Sequence, residues 1–256
     1  MNQQNNTSWQ NVSSWYDKLV GSEGHYYHQH VIIPGLLKLL EINEKSSLVD
    51  LGCGQGILSR VIPVLSNYLG IDRSKSLIES AKKVNQNPNY SFIVKDVTRS
   101  IDSAKPMFTH AVIVLALQNM ENPEGAIKNA ANYLMPGGKL VIVLNHPAFR
   151  IPRQSGWGIN EKTKQQYRWV NRYSTPLKIP IDMNPGQKNQ KSSGQTTWSF
   201  HRSLQDYVSM LVKAGFVITG LEEWSSDKES EGKAARMENR ARQEFPLFLT
   251  LIASKI

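Results

Sequence analysis

The sequence has one cysteine, Cys53, in 256 residues. No disulfide can close within the chain, and nothing in its cysteine usage points to an oxidising compartment. No stretch reaches the roughly 18 to 20 apolar residues of a membrane-spanning helix. The first thirty residues, opening MNQQNNTSWQ, lack the apolar run of a signal peptide, so a cytoplasmic chain is expected. Internal repeats and low-complexity tracts are lacking too. Acidic residues are short in number, 21 against 30 Lys and Arg, for a net charge of +9. That shortage is local: Arg150 to Arg202 holds ten Lys or Arg against Glu161 and Asp182, a net +8, which leaves +1 for the rest. Apolar periodicity fails over the same segment.

What is present is enough apolar sequence for a full core. With 40% hydrophobic residues, a chain of this length is expected to form one globular unit. Apolar runs at SLVDL (47–51), YLGID (68–72), YSFIVKD (90–96), HAVIVLAL (110–117) and KLVIVLN (139–145) read as buried parallel strands. Helices are expected between them at 56–66, at 74–84 behind an N-cap serine, and at 123–134 from a proline start to MPGG. After residue 202, SLQDYVSMLVKAGF places Leu204, Tyr207, Val208, Leu211 and Val212 on one helical face, followed by strand-like FVITGLEEW and FPLFLTLIAS. The mixed-charge stretch 227–244 reads as an exposed helix or connector. Seven strands in all, wound with helices, predict a doubly wound α/β sheet.

The stretch VDLGCGQG, residues 49–56, follows the first strand with three glycines. Gly52, Gly54 and Gly56 give G-x-G-x-G, one residue too short for the dinucleotide fingerprint G-x-G-x-x-G. Asp50 argues the same way: a carboxylate at the strand end repels a pyrophosphate but favours a ligand carrying an ammonium and a sulfonium. S-adenosyl-L-methionine is such a ligand. VDLGCGQG resembles the first motif of class I S-adenosylmethionine-dependent methyltransferases, and the resemblance extends over roughly residues 28–146 and 203–256. It implies a Rossmann-like seven-stranded sheet whose last strand runs antiparallel, with Asp50, Gly52 and Gly54 at the cofactor. It further implies that Asp72, ending YLGID, holds both ribose hydroxyls and that Asp96 in VKDVT meets the adenine amino group beside the amide of Val97. Arg73 and Leu115 fall in the same cofactor set.

By this resemblance residues 1–45 are an N-terminal helical cover, 46–146 the cofactor-binding core, 147–202 a substrate lid and 203–256 the rest of the sheet. In the cover, Tyr16, Tyr26 or His30 is expected to close over the cofactor, with Leu36, Leu37 and Leu40 in the core. His25, His28 and His30 form no convincing metal set, so no metal is expected. The lid segment interleaves Phe149, Trp157, Tyr167, Trp169, Tyr173, Trp198 and Phe200 with Arg150, Arg153, Arg168, Arg172 and Arg202, in irregular but ordered loops. Stacking platforms and cations suit nucleic acid, and they suit a flat, apolar or acidic small molecule under a lid equally well. His146 and His201 border the lid at the strand-end side and are the candidate catalytic residues, one of them a general base. A small-molecule methyltransferase acting on O, N or activated C is the first expectation. An RNA methyltransferase using residues 150–202 and a non-catalytic cofactor-binding module stay open. LALQNM lacks the Asn/Asp-Pro-Pro-aromatic signature of enzymes acting on nucleic-acid amino groups, and no separate RNA-binding domain is recognisable.

Overall fold

The computed structural model describes residues 25–101, 106–182 and 196–256. A π-helical turn, His28–Ile32, leads into α1 (Ile33–Leu40), β1 (Ser47–Leu51), α2 (Ile57–Val61), β2 (Asn67–Asp72), α3 (Lys75–Val84), β3 (Tyr90–Val94) and β4 (Phe108–Val114). A 3-10 turn, Leu117–Asn119, precedes α4 (Pro123–Tyr133) and β5 (Leu134–Asn145). Then come β6 (Ser155–Asn160), β7 (Gln165–Val170), β8 (Leu177–Asp182), β9 (Thr196–His201), α5 (Leu204–Lys213), β10 (Phe216–Trp224), α6 (Ala235–Glu244) and β11 (Phe248–Lys255).

Seven strands form the central sheet in the order β10-β11-β5-β4-β1-β2-β3. β3, β2, β1, β4 and β5 run parallel, while β11 is antiparallel to both β5 and β10. Every residue of β1 is buried, as a strand covered on both faces must be. Period-two alternation sorts the core into two layers. Val49, Leu51, Ile113, Ile142 and Leu144 meet Ala126, Ile127 and Ala130 of α4 and Tyr207 and Leu211 of α5. Leu48, Val112, Val141 and Val143 meet Leu36 and Leu40 of α1, Leu58 of α2 and Ile78 of α3. This is the expected doubly wound sheet with its last strand antiparallel.

Several local expectations are corrected. α2 stops at Val61 because Ile62 is extended (φ −75°, ψ 152°) immediately before Pro63, whose ring disfavours a helical residue ahead of it. β5 begins at Leu134, so MPGG lies inside the strand, with Gly137 at φ +76° and a register shift opposite Phe108 and His110. Val212 is 60% exposed on α5, although Tyr207 and Leu211 are buried as expected. The largest correction is in 147–202. It contains two antiparallel pairs, β6 with β7 and β8 with β9, where irregular loops are expected and seven strands in all are counted. Alternation is masked there because β6 sets Gly156 and Gly158 opposite Trp169 and Tyr167, so one strand supplies bare backbone and the other the rings that lie over it.

Candidate active site

The parallel strands end on one edge, and a cavity of about 410 Å³ opens there, within the roughly 300–1,000 Å³ of small-molecule sites. The turn after β1 holds Gly52, Gly54 and Gly56 at φ +87°, +55° and +73°, which is why that turn needs glycine. A Cβ on Gly52 would also stand 2.6 Å from Cβ of Ala116. The amides of Gly52 and Cys53 both donate to Ile71 O, at 2.7 and 3.1 Å, locking the turn onto β2.

Asp50, Asp72 and Asp96 end or follow successive strands. Asp50 is buried, and its Oδ2 accepts from the Tyr68 hydroxyl at 2.7 Å, while Oδ1 has no partner among the described residues. Burial pushes its carboxyl up to about 7, the Tyr68 bond opposing the shift. A small recess shares His28, Gly52 and Gly54 with the main cavity and reaches Asp50. Asp72 Oδ2 accepts from Gly54 N at 3.0 Å and Oδ1 from Ser74 N at 2.8 Å, tying the glycine turn to the start of α3. Burial raises its pKa against these amides. Asp96 Oδ1 accepts from Thr98 N and Oγ1 at 3.0 and 2.6 Å. Its Oδ2 lies 3.7 Å from Arg73 Nη1 and 3.6 Å from Arg99 Nε. Gly52, Gly54, Asp72, Arg73, Asp96, Val97 and Leu115 all line the cavity. Leu115 has φ +51°, a strained value for a non-glycine residue, and its carbonyl accepts from Gln118 Nε2 and Asn119 Nδ2.

The structure places the other expected site residues away from the cavity lining. His30 lies off the cavity wall: it stacks on Tyr26 at 4.2 Å and sets Nδ1 3.4 Å from Asp227 Oδ2. Tyr26 is held in the same way, its hydroxyl donating to Asp227 and its ring under Lys228. Tyr16 lies outside the described residues. The π-helical turn His28–Ile32 brings His28 instead to the cavity, with a buried Nδ1 that has no partner among the described residues. Burial pushes the His28 ring down to about 4. No sequence pattern announces a π-turn, so this residue is missed from sequence.

His146 and His201 do not line the cavity. His146 Nε2 is 2.7 Å from Glu223 Oε1, and Nδ1 accepts from the amides of Ala148 and Phe149 at 3.2 and 3.3 Å, closing the turn after β5. Both of its nitrogens are therefore engaged. His201 donates from Nε2 to Tyr173 O at 2.6 Å. On β9 it shares a face with Thr197 and Ser199, which do reach the cavity, but it sits farther along the strand. Burial lowers the pKa of both rings.

The arginines and aromatics of 147–202 are also turned elsewhere. Arg150 lies over Phe248, Arg168 stacks on Trp157 and donates to Phe149 O, and Arg202 donates to Glu121 O. Trp157 packs on Phe245, and Tyr167 and Trp169 are 48% and 42% exposed. What the segment gives the cavity is Pro152, Ile181, Thr197 and Ser199. Among the described residues no three His, Cys, Asp or Glu side chains are grouped to hold a metal ion.

A protein-family model described as a methyltransferase domain matches residues 49–142. The chain is 33% identical over 117 residues to a ubiquinone biosynthesis O-methyltransferase of Coxiella burnetii (strain Dugway 5J108-111), a match covering 43% of this chain and 50% of that protein. It thus spans about half the length of this relative. To a demethylmenaquinone methyltransferase of Staphylococcus haemolyticus it is 24% identical over 188 residues, 66% of this chain and 77% of the relative. A crystal structure of an S-adenosylmethionine-dependent methyltransferase from Mesorhizobium loti matches with a TM-score of 0.66 at 23% identity, covering 86% of this chain and 96% of that one. The glycine turn, Asp72 and Asp96 line one cavity, with Asp50 in the recess beside it, on a fold this chain shares with that S-adenosylmethionine-dependent methyltransferase, and residues 49–142 carry the methyltransferase-domain match.

Proposed function

We propose that this chain transfers a methyl group from S-adenosylmethionine to a small-molecule acceptor enclosed between the strand ends and the segment 147–202, which acts as a lid. The observation that carries the reading is the convergence of Asp50, Asp72 and Asp96 around a glycine turn on one edge of the sheet. Those acids fit the cofactor. Asp50 Oδ1, buried and unpartnered, suits an ammonium; Asp72, with a second lone pair on each oxygen, suits a ribose diol; Asp96 and Val97 suit the adenine edge. The cofactor, when bound, supplies a methyl group activated by sulfonium. The chain's part is to align the acceptor with that methyl and exclude water, which accounts for most of what this chemistry requires. His28 is the one histidine among the described residues on the cavity wall.

Two of the relatives are named for steps on quinones, which supports a small-molecule acceptor over RNA. The cavity wall supports it too, since Arg73 is its sole cation among the described residues and faces Asp96. Incubating the protein with methyl-labelled cofactor and separate metabolite and RNA fractions of a cell extract tests the reading. Label is expected in the metabolite fraction. Label confined to RNA would replace this reading with the RNA methyltransferase.

A further inference from the structure

The cavity has two chemically different walls. Its charged side chains among the described residues, Asp72, Arg73 and Asp96, all sit at the cofactor edge. The uncharged part of the wall includes Gln118 and Asn119 from the 3-10 turn after β4, Asn145 at the end of β5, and Ile181, Thr197 and Ser199 from the β8/β9 pair. Two side chains on this wall each have a buried polar atom without a partner among the described residues, Gln118 Oε1 and Thr197 Oγ1. Gln118 is 8% exposed and Thr197 3%. Folded proteins seldom leave such atoms unpaired, because the group has given up water and gained nothing. The Gln118 amide nitrogen donates to Leu115 O at 2.8 Å, so its free atom is an oxygen that can only accept. Thr250 also has an unpaired hydroxyl, but it does not line this cavity.

We propose that Gln118 and Thr197 form the acceptor-recognition subsite, and that the acceptor is an uncharged molecule whose hydroxyl donates to Gln118 Oε1 while a second polar group bonds Thr197 Oγ1. The proposal rests on the methyltransferase reading above and narrows its substrate class. An anionic acceptor would enter a wall without a cation, in a cavity that the carboxylates of Asp72 and Asp96 also line. A cationic one would meet no carboxylate on this part of the wall and would be repelled by the sulfonium it must approach. Arg150, Arg168 and Arg202 of the lid segment are engaged outside the cavity, and none of the segment's arginines or aromatic rings lines it among the described residues.

Binding of catechol and 3,4-dihydroxybenzoate, a neutral and an anionic probe with the same hydroxyl pair, to the protein loaded with S-adenosylhomocysteine tests this. Catechol is expected to bind saturably and the carboxylated probe at least about tenfold more weakly. Thr197→Val should weaken catechol binding by about tenfold, while Thr197→Ser keeps it. Both variants should hold S-adenosylhomocysteine within about twofold of the parent, since Thr197 does not belong to the cofactor edge. Thr197→Val should also melt no lower than the parent, because it removes an unpaired buried hydroxyl; a hydroxyl with a structural partner would lower the melting temperature when lost. Equal or tighter binding of the carboxylated probe, no catechol binding, or parental catechol affinity in Thr197→Val would overturn the subsite. Failure of the parent to bind S-adenosylhomocysteine would overturn the methyltransferase reading itself.

Discussion

Asp50 shows how much a single residue takes from its surroundings. Its carboxyl is pushed up to about 7 chiefly by burial, so in the ligand-free protein it ionises near neutrality rather than at its ordinary value of 3.8. The sign follows: stability that Asp50 contributes is fully present below 3.8 and is lost as pH rises toward about 7. An ammonium bound at Oδ1 needs the ionised form, so cofactor affinity should rise with pH across roughly 6 to 8, and Asp50→Asn should flatten that rise. Calorimetric titrations over that range check both. His146 behaves in the opposite sense. Its lowered pKa means that the unfolded chain binds the proton more readily, so its contribution is present above 6.5 and is lost as pH falls through the lower folded value. His146→Ala breaks a bond to Glu223 and orphans two amides, and should cost about 1–3 kcal/mol in denaturant unfolding while turnover per folded molecule persists. Asp50 and Asp72 stand out in the sequence because each is the one acid in or at the end of an apolar run, whereas Asp96, behind Lys95, stands out only through the resemblance. His146 and His201 mislead because position along the chain gives the edge of the sheet but not which partners the ring nitrogens find.

At the scale of elements, legibility follows how local the determinants are. α3 and α5 are read correctly because their starts are written in adjacent residues. Ser74 accepts from Leu77 N, and Ser203 with Asp206 forms a reciprocal capping box. Ser203→Ala should therefore destabilise the protein by about 1 kcal/mol, seen as a lower midpoint in chemical denaturation, with cofactor affinity unchanged. β6 and β7 escape notice because their pairing is cross-strand: Gly158 makes sense only when Tyr167 lies over it. α6 is expected as exposed or connecting, and its role appears only in three dimensions, where Arg240 donates to Gln166 O of β7. The π-turn that brings His28 inward is likewise invisible to a helical repeat.

Across the whole molecule, the doubly wound sheet is legible because strands buried on both faces leave continuous apolar runs, and their ends locate the site. The charge pattern is legible too, but its meaning is not. The +8 of residues 150–202 suggests a basic groove, yet Arg150, Arg168, Lys178 and Arg202 are engaged with rings, carbonyls or Glu121. RNA binding should accordingly be weak at physiological salt, and a filter-binding series should show only low affinity that falls steeply as salt rises. No helix among the described residues is long and apolar enough to cross a membrane. Whether the cavity at the strand ends holds S-adenosylmethionine is measured by isothermal titration of the cofactor into the parent and Asp72→Ala. Asp72 also holds the amides of Gly54 and Ser74, so thermal melts of both proteins accompany the titration. Saturable one-to-one binding to the parent is expected, with an affinity at least about tenfold lower in a folded Asp72→Ala, the loss of roughly 1–3 kcal/mol expected for a doubly bonded acid. No binding by the parent, or equal affinity in the two proteins, would contradict it.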